Sequence, residues 1–427
     1  MATNASLASP GDSTPFLDHP TSVPIKSASL AGLPIELQSR IAEYVVDSML
    51  EGLCASEIVH TVELSNMSIR AMMTLVRDIL PIKSRYVKHL GTGSVGYRTD
   101  WGMDADADSS KQKARQITIV EAERLFFGDN CPQVESFDYR EARTRNILEA
   151  AILRLCTGVV TINHSERYAL AHDEQLALPD FLPFNHVLDI IVGDMASKLT
   201  HLDVSFTEAN TVDRLASVLR SQPNLASLSV SCRVTALNTF DRSALYTALT
   251  SMPSLASLKL KGEHLYNNGL FDVALSCPLS YLELEQFERE LPIAALRRFL
   301  FPFLSTLRCL RLSAESAVAS VSDSGAPFSL PRLEILSIDF GNNPTILPYF
   351  FTCRLVEFNI VLPDSVYGYT DLEPFLDQQR HTLEVLVVHL ADEWDADTGR
   401  ALEAWGERQA HEAYVEVEYY LTDDDAV

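Results

Sequence analysis

Leu255-Ala-Ser-Leu258-Lys-Leu260 is one of eight copies of a single hexapeptide pattern, L-x-x-L-x-L, in which Val, Ile or Phe substitutes for Leu. The others are Leu199-Thr-His-Leu202-Asp-Val204, Leu225-Ala-Ser-Leu228-Ser-Val230, Leu279-Ser-Tyr-Leu282-Glu-Leu284 and Leu307-Arg-Cys-Leu310-Arg-Leu312. Then come Leu333-Glu-Ile-Leu336-Ser-Ile338, Leu355-Val-Glu-Phe358-Asn-Ile360 and Leu383-Glu-Val-Leu386-Val-Val388. From Leu202 to Leu386 the fourth positions follow one another at intervals of 22–30 residues. Apolar side chains at the first, fourth and sixth positions leave each copy with one oily face open, and a neighbour of the same kind closes it. Between copies the period changes: Val212, Leu215, Val218 and Leu219 share one helical face, and Ser243 to Thr250 behaves alike. Pro223-Asn-Leu225 and Pro253-Ser-Leu255 then stop the helix and set an extended entry to the next copy. The period predicts strand–helix units stacked into a solenoid. A doubly wound parallel sheet also alternates strand and helix, but would not normally repeat one hexapeptide eight times at near-fixed spacing.

Two looser copies are expected ahead of the run, at Val134-Glu-Ser-Phe137-Asp-Tyr139 and Val159-Val-Thr-Ile162, and a last strand at Tyr414 to Tyr419. The mean interval, about 26 residues, lies in the band of roughly 20–29 for leucine-rich repeats. The tandem resembles the leucine-rich-repeat domains of F-box proteins, especially the divergent fungal kind. Leu372-Glu-Pro-Phe-Leu-Asp-Gln-Gln-Arg-His-Thr-Leu-Glu-Val-Leu386 is similar to that family's helix-then-strand unit. The resemblance implies an α/β fold: an irregular solenoid with parallel strands on a concave face and helices on a convex face. The copies lack the Asn that completes many repeats of this class.

Residues 1–28 are rich in Ser, Thr, Pro and Ala and read as a disordered tail. Residues 29–80 read as a helical segment. Pro34 suits a first helical position, Glu36 the first turn, and Leu37, Ile41 and Val45 share a face. Further helical patterns are expected over Ile58 to Leu64 and Ile69 to Leu80, the latter ended by Pro81. Leu33-Pro-Ile-Glu-Leu37 with Ile41 resembles the opening of an F-box. That implies burial of Leu33, Pro34, Leu37, Ile41 and Val45 against a Skp-type adaptor, which would join the chain to a cullin scaffold. The family's second half carries a stretch like Leu-x-x-Val-x-x-x-Trp; Ser68 to Asp78 here holds no Trp. The alternative is a helix whose Leu37/Ile41/Val45 face caps the solenoid. A linker over 81–115 with a Gly/Asp-rich loop from Gly91 to Ser110, a solenoid over 116–420 and an acidic tail over 421–427 complete the expected organisation.

With 34 Lys and Arg against 58 Asp and Glu, the net charge is −24. No basic cluster marks a nucleic-acid footprint, and the same deficit argues against anionic membranes. Seven dispersed cysteines without a C-x-x-C pair point to buried thiols in a reducing compartment rather than disulfides or zinc. No apolar run approaches the roughly 20 residues of a membrane span, and the N-terminus has no secretory pattern, so a cytoplasmic or nuclear location is expected. Gly91-Thr-Gly-Ser-Val-Gly96 lacks the helix a nucleotide loop needs. Asp104, Asp106 and Asp108 lack the Gly and Glu of a calcium loop. No metal, cofactor or catalytic cluster is expected.

The residues flanking the inward leucines are expected to bind a target protein. Lys259, Glu283 and Arg311 should sit side by side on successive strands, with Lys261 and Tyr281 adjacent. They form either a charged recognition stripe or a self-neutralising surface. Ile335, Val385 and Val387 give an apolar patch that either binds a partner or lies under the segment from Asp392 onward. The resemblance implies a substrate-recognition subunit of a Skp–cullin–F-box ubiquitin ligase, without catalysis of its own. The alternative is a repeat scaffold with no ubiquitin role.

Overall fold

The computed structural model describes residues 60–65, 67–93, 116–124, 137–165, 184–206, 211–232, 242–262, 265, 267–318, 325–340, 344–362, 369–391, 396–409 and 413–420. The chain divides into a unit over Met1–Ala55 and a unit over Ser56–Val427, and all described residues belong to the second.

Among the described residues, that unit is built on one open sheet of twelve parallel strands arranged in chain order. They are β1 (Thr61–Glu63), β2 (His89–Thr92), β3 (Thr161–Ser165), β4 (His201–Phe206), β5 (Ser227–Cys232) and β6 (Ser257–Lys261). The series continues with β7 (Tyr281–Pro292), β8 (Cys309–Val318), β9 (Ile335–Phe340), β10 (Glu357–Leu362), β11 (Val385–Ala391) and β12 (Tyr414–Tyr420). Helices α1 (Ile69–Thr74), α2 (Phe137–Leu155), α3 (Phe184–Gly193), α4 (Thr211–Ser221), α5 (Ser243–Thr250), α6 (Ile293–Leu300), α7 (Tyr369–Gln379) and α8 (Ala396–Glu407) lie between strands. No helix of the described residues is long and apolar enough to cross a membrane.

The architecture is the leucine-rich-repeat-like solenoid that the hexapeptide predicts. In all eight copies the first, fourth and sixth positions are at most 3% exposed. Register carries each inward leucine onto its equivalent in the next copy: Leu228 pairs with Leu258, Leu258 with Leu282, and Leu282 with Leu310. Truncating one, as in Leu258→Ala, should cost about 2–5 kcal/mol.

Where the repeat Asn is missing, two glutamines tie successive units. Gln222 is fully buried; its Oε1 accepts from the Leu199 N–H at 3.0 Å, and its Nε2 donates to the C=O of Met195 at 2.9 Å and of Ile191 at 3.1 Å. Gln379 repeats only the accepting half, taking the Leu355 N–H at 3.1 Å, while its Nε2 is buried and makes no hydrogen bond. In both cases the helix end of one repeat satisfies the backbone at the first leucine of the repeat before it.

The N-terminal boundary differs from the sequence reading. The sheet begins at Thr61, inside the segment expected to be wholly helical, and not after 116. Within Ile58 to Leu64, Val62 and Leu64 alternate with polar neighbours. Pairing of Thr61–Glu63 with His89–Gly91 makes that stretch an edge strand. Gly91 and Thr92, expected in a loop, belong to β2, and Thr92 pairs with His164 of β3. Pro81 does not end its helix. It opens a new helical turn, Leu80–Lys83, where a missing N–H costs nothing. Phe137, Asp138 and Tyr139 start α2 and form no strand; the run of Arg, Glu, Ala and Leu that follows outweighs the short apolar match. The second looser copy holds, as β3, and the last strand holds as β12.

Candidate functional site

Alternation along each strand sends every second side chain to the face without helices. On β5 to β8 this face carries Ser229, Lys259, Glu283 and Arg311 in one row, each the register partner of the next. A second row joins Ser231, Lys261 and Glu285, and a third joins Ser257, Tyr281 and Cys309. All five residues expected to bind a target are thus brought together, as the spacing of the repeats implied.

The geometry shows a cluster largely paired within itself. Lys259 Nζ donates to Glu283 Oε1 at 2.5 Å and lies 3.7 Å from Glu285 Oε1, and Lys261 Nζ lies 2.6 Å from Glu285 Oε2. The Tyr281 hydroxyl donates to Glu283 Oε2. Glu283 is only 1% exposed although it stands on the open face, because its neighbours close over it. Burial works against the charge on Lys259, but the hydrogen bond and charge of Glu283 outweigh it and hold the ammonium above its ordinary value. Burial, then the hydrogen bond to Glu283, push the Tyr281 hydroxyl well up. Contact with Glu283, with Lys261 and Lys259 beside it, holds the Glu285 carboxyl down at about 2. Arg311 Nε is buried and makes no hydrogen bond. A preformed network of this kind presents fixed donors and acceptors to a partner, and the partner gains little from its ion pairs alone.

Further along the sheet, Ile335 does not join Val385 and Val387 in one apolar patch. Glu357 stands between Ile335 and Val385 in register, and its carboxylate accepts from Asn359 Nδ2 at 2.8 Å. Among the described residues the segment after Asp392 does not lie over these side chains. It adds α8 and then β12 at the edge of the sheet, with Tyr414 beside Val385 and Glu416 beside Val387.

At the other end the sequence reading missed a polar cluster. Arg145 of α2 donates to the C=O of Met67 at 2.9 Å and of Ser65 at 3.1 Å, and also to that of Leu64. One turn on, Glu149 is 1% exposed, and burial raises its carboxyl to about 7 against the pull of Arg145 and the Gly93 N–H. Thr92 Oγ1 and His164 Nδ1 stand 2.7 Å apart in the core, where burial lowers the imidazole to about 3. The signal was faint: Thr92 and His164 occupy inward positions that later strands fill with Val or Leu. Cys156 and Cys353, free and buried, have thiols raised to about 12 by burial. Among the described residues no group of His, Cys, Asp and Glu is placed to hold a metal ion.

Leu33, Pro34, Leu37, Ile41 and Val45 lie outside the described residues, as do the Asp104–Asp108 run, Cys54 and Cys131.

No family model and no curated protein matches the chain. Among solved structures the chain is similar to the "Crystal structure of Rad7 and Elc1 complex in yeast", at 13% identity over 87% of this chain and 88% of that chain, with a TM-score of 0.37.

Proposed function

We propose that this chain is a non-catalytic protein-binding solenoid that serves as the substrate-recognition subunit of a Skp–cullin–F-box ubiquitin ligase, in the cytoplasm or nucleus. The observation that carries the binding half is the helix-free face of the sheet, where Tyr281, Lys259, Lys261, Glu283 and Arg311 form one prearranged surface. Strands about 4.8 Å apart make such a face long enough for a folded domain or an extended peptide. The ubiquitin half rests on Leu33-Pro-Ile-Glu-Leu37 and Ile41, whose apolar side chains would bury against a Skp-type adaptor linked to a cullin. A target held on the face is then kept near the ligase, and proximity alone raises the rate of transfer.

Co-expression with a Skp-type adaptor tests the ubiquitin half. Wild type is expected to co-purify with the adaptor, and Leu37→Ala/Ile41→Ala is expected to lose it while keeping its thermal unfolding transition. An adaptor that ignores wild type, or binds the double mutant equally well, leaves the scaffold reading: the same solenoid with no ubiquitin role.

A further inference from the structure

Strand β12 ends the sheet, and among the described residues no strand pairs with its outer side. It is nonetheless held in place. Seven residues run in register on β11, from Tyr414 beside Val385 to Tyr420 beside Ala391. Helix α8 packs behind it, with Trp405 buried and Gly406 so close that a Cβ there would meet Val415 Cγ2 at 2.3 Å. The Tyr414 N–H donates to the Glu384 C=O at 2.8 Å. In a parallel ladder alternate residues address alternate sides. Tyr414, Glu416 and Glu418 therefore bond back to β11, and the N–H and C=O of Val415 and Val417 point to the open side. The side chains agree. Leu386 and Val388, inward on β11, are fully buried, whereas Val415 and Val417 in the same rows are only half-buried. Among the described residues, no further repeat stands beside β12 as a neighbour stands beside the others.

We propose that this edge receives an extended segment of another protein as an added strand, with Lys or Arg alternating on the helix-free side and aliphatic residues on the core side. The backbone of Val415 and Val417 supplies the ladder, and the alternate side chains supply selectivity. Charge selects the occupant. The added strand would run beside Glu416 and Glu418, of which Glu418 already meets His389 at 2.9 Å, and β11 carries no Lys or Arg. A second copy does not fit. Its own β12 would set Glu416 and Glu418 against the same two carboxylates, and its β1, the other end of the sheet, would bring Glu63. Like charges directly opposite on neighbouring strands destabilise the pair. The same carboxylates keep copies of the chain from pairing edge to edge.

The test titrates the full chain with a fluorescein-labelled peptide of the length of β12 in which Lys and Val alternate. Its counterparts are a Glu/Val peptide and a Lys/Val peptide N-methylated at alternate amides. Saturable anisotropy with the Lys/Val peptide is expected, together with slowed hydrogen exchange at the Val415 and Val417 amides. Glu416→Lys/Glu418→Lys should weaken binding by about ten-fold or more. Val417→Pro removes an outward donor and no bond to β11, so it should abolish binding in a chain that circular dichroism shows folded; if that variant unfolds, the charge-reversed pair carries the test. No saturable binding, equal binding of the Glu/Val or N-methylated peptide, or indifference to the charge reversal would overturn the proposal.

Discussion

Glu149 and His164 make stability depend on pH in opposite senses. The folded chain keeps a proton on Glu149 up to about 7, against an ordinary 4.5. Between those values the native state binds more protons than the unfolded one, so stability falls as pH rises through that window. His164 is lowered from 6.5 to about 3, so over that range the unfolded chain binds the extra proton and stability rises with pH. The two oppose each other up to 6.5, and above it Glu149 acts alone. Glu149→Gln is therefore expected to flatten the decline in melting temperature from about pH 6.5 to about pH 7; an unchanged decline would assign it to another group. Gly262 is a second sensitive position. Its φ is +122° and a Cβ would meet the Cys232 C=O oxygen at 2.1 Å, so backbone must move to admit any side chain. Gly262→Ala should destabilise by on the order of 1–3 kcal/mol in denaturant titration.

At the scale of the element, the strands owe their register to the hexapeptide, and the helices owe their junctions to specific polar ties. Gln222 shows this best, since one side chain satisfies three backbone groups of the preceding repeat. Gln222→Leu keeps the volume and strips the partners, leaving a buried N–H and two carbonyls short of a bond. It should cost about 1–3 kcal/mol or more, and amide exchange should rise first at Leu199. If exchange at Leu199 stays slow, the tie is replaceable by water. On β7 and β8 the strands run past the repeat and shift register between Leu284 and Phe287. A pattern confined to six residues says nothing about such an extension.

Across the whole sheet each repeat meets chiefly its two neighbours, as in a one-dimensional array. Native-state hydrogen exchange should therefore be slowest at β5 to β8 and fastest at β1 and β12, with free energies of opening that grade between them. Uniform protection across the sheet would show instead a single cooperative unit. Charge is graded as well. The open face of β6 to β8 holds Lys259, Lys261 and Arg311 among two glutamates, within a chain of net charge −24. A target bound there should be insensitive to moderate salt because the charges already pair internally, whereas a segment bound at β12 should weaken steeply with salt.

The stacked strand–helix units, their number between Leu199 and Val388, and the side chains that share the open face all follow from the hexapeptide. One local motif, repeated at a steady interval, suffices because each inward leucine needs only an identical neighbour. The same reading brought Lys259, Glu283 and Arg311 into one row, since register follows directly from that repeat. The folded arrangement alone set where the sheet begins. Val62 and Leu64 alternate over too few residues to outvote a helical pattern until β2 lies beside them. It also decided that Glu283 is buried on an open face, that Glu357 splits Ile335 from Val385, and that Arg145, Glu149, Thr92 and His164 gather between α2 and the first strands. Each of these depends on what stands opposite a side chain across the fold, and spacing along a chain carries no record of that.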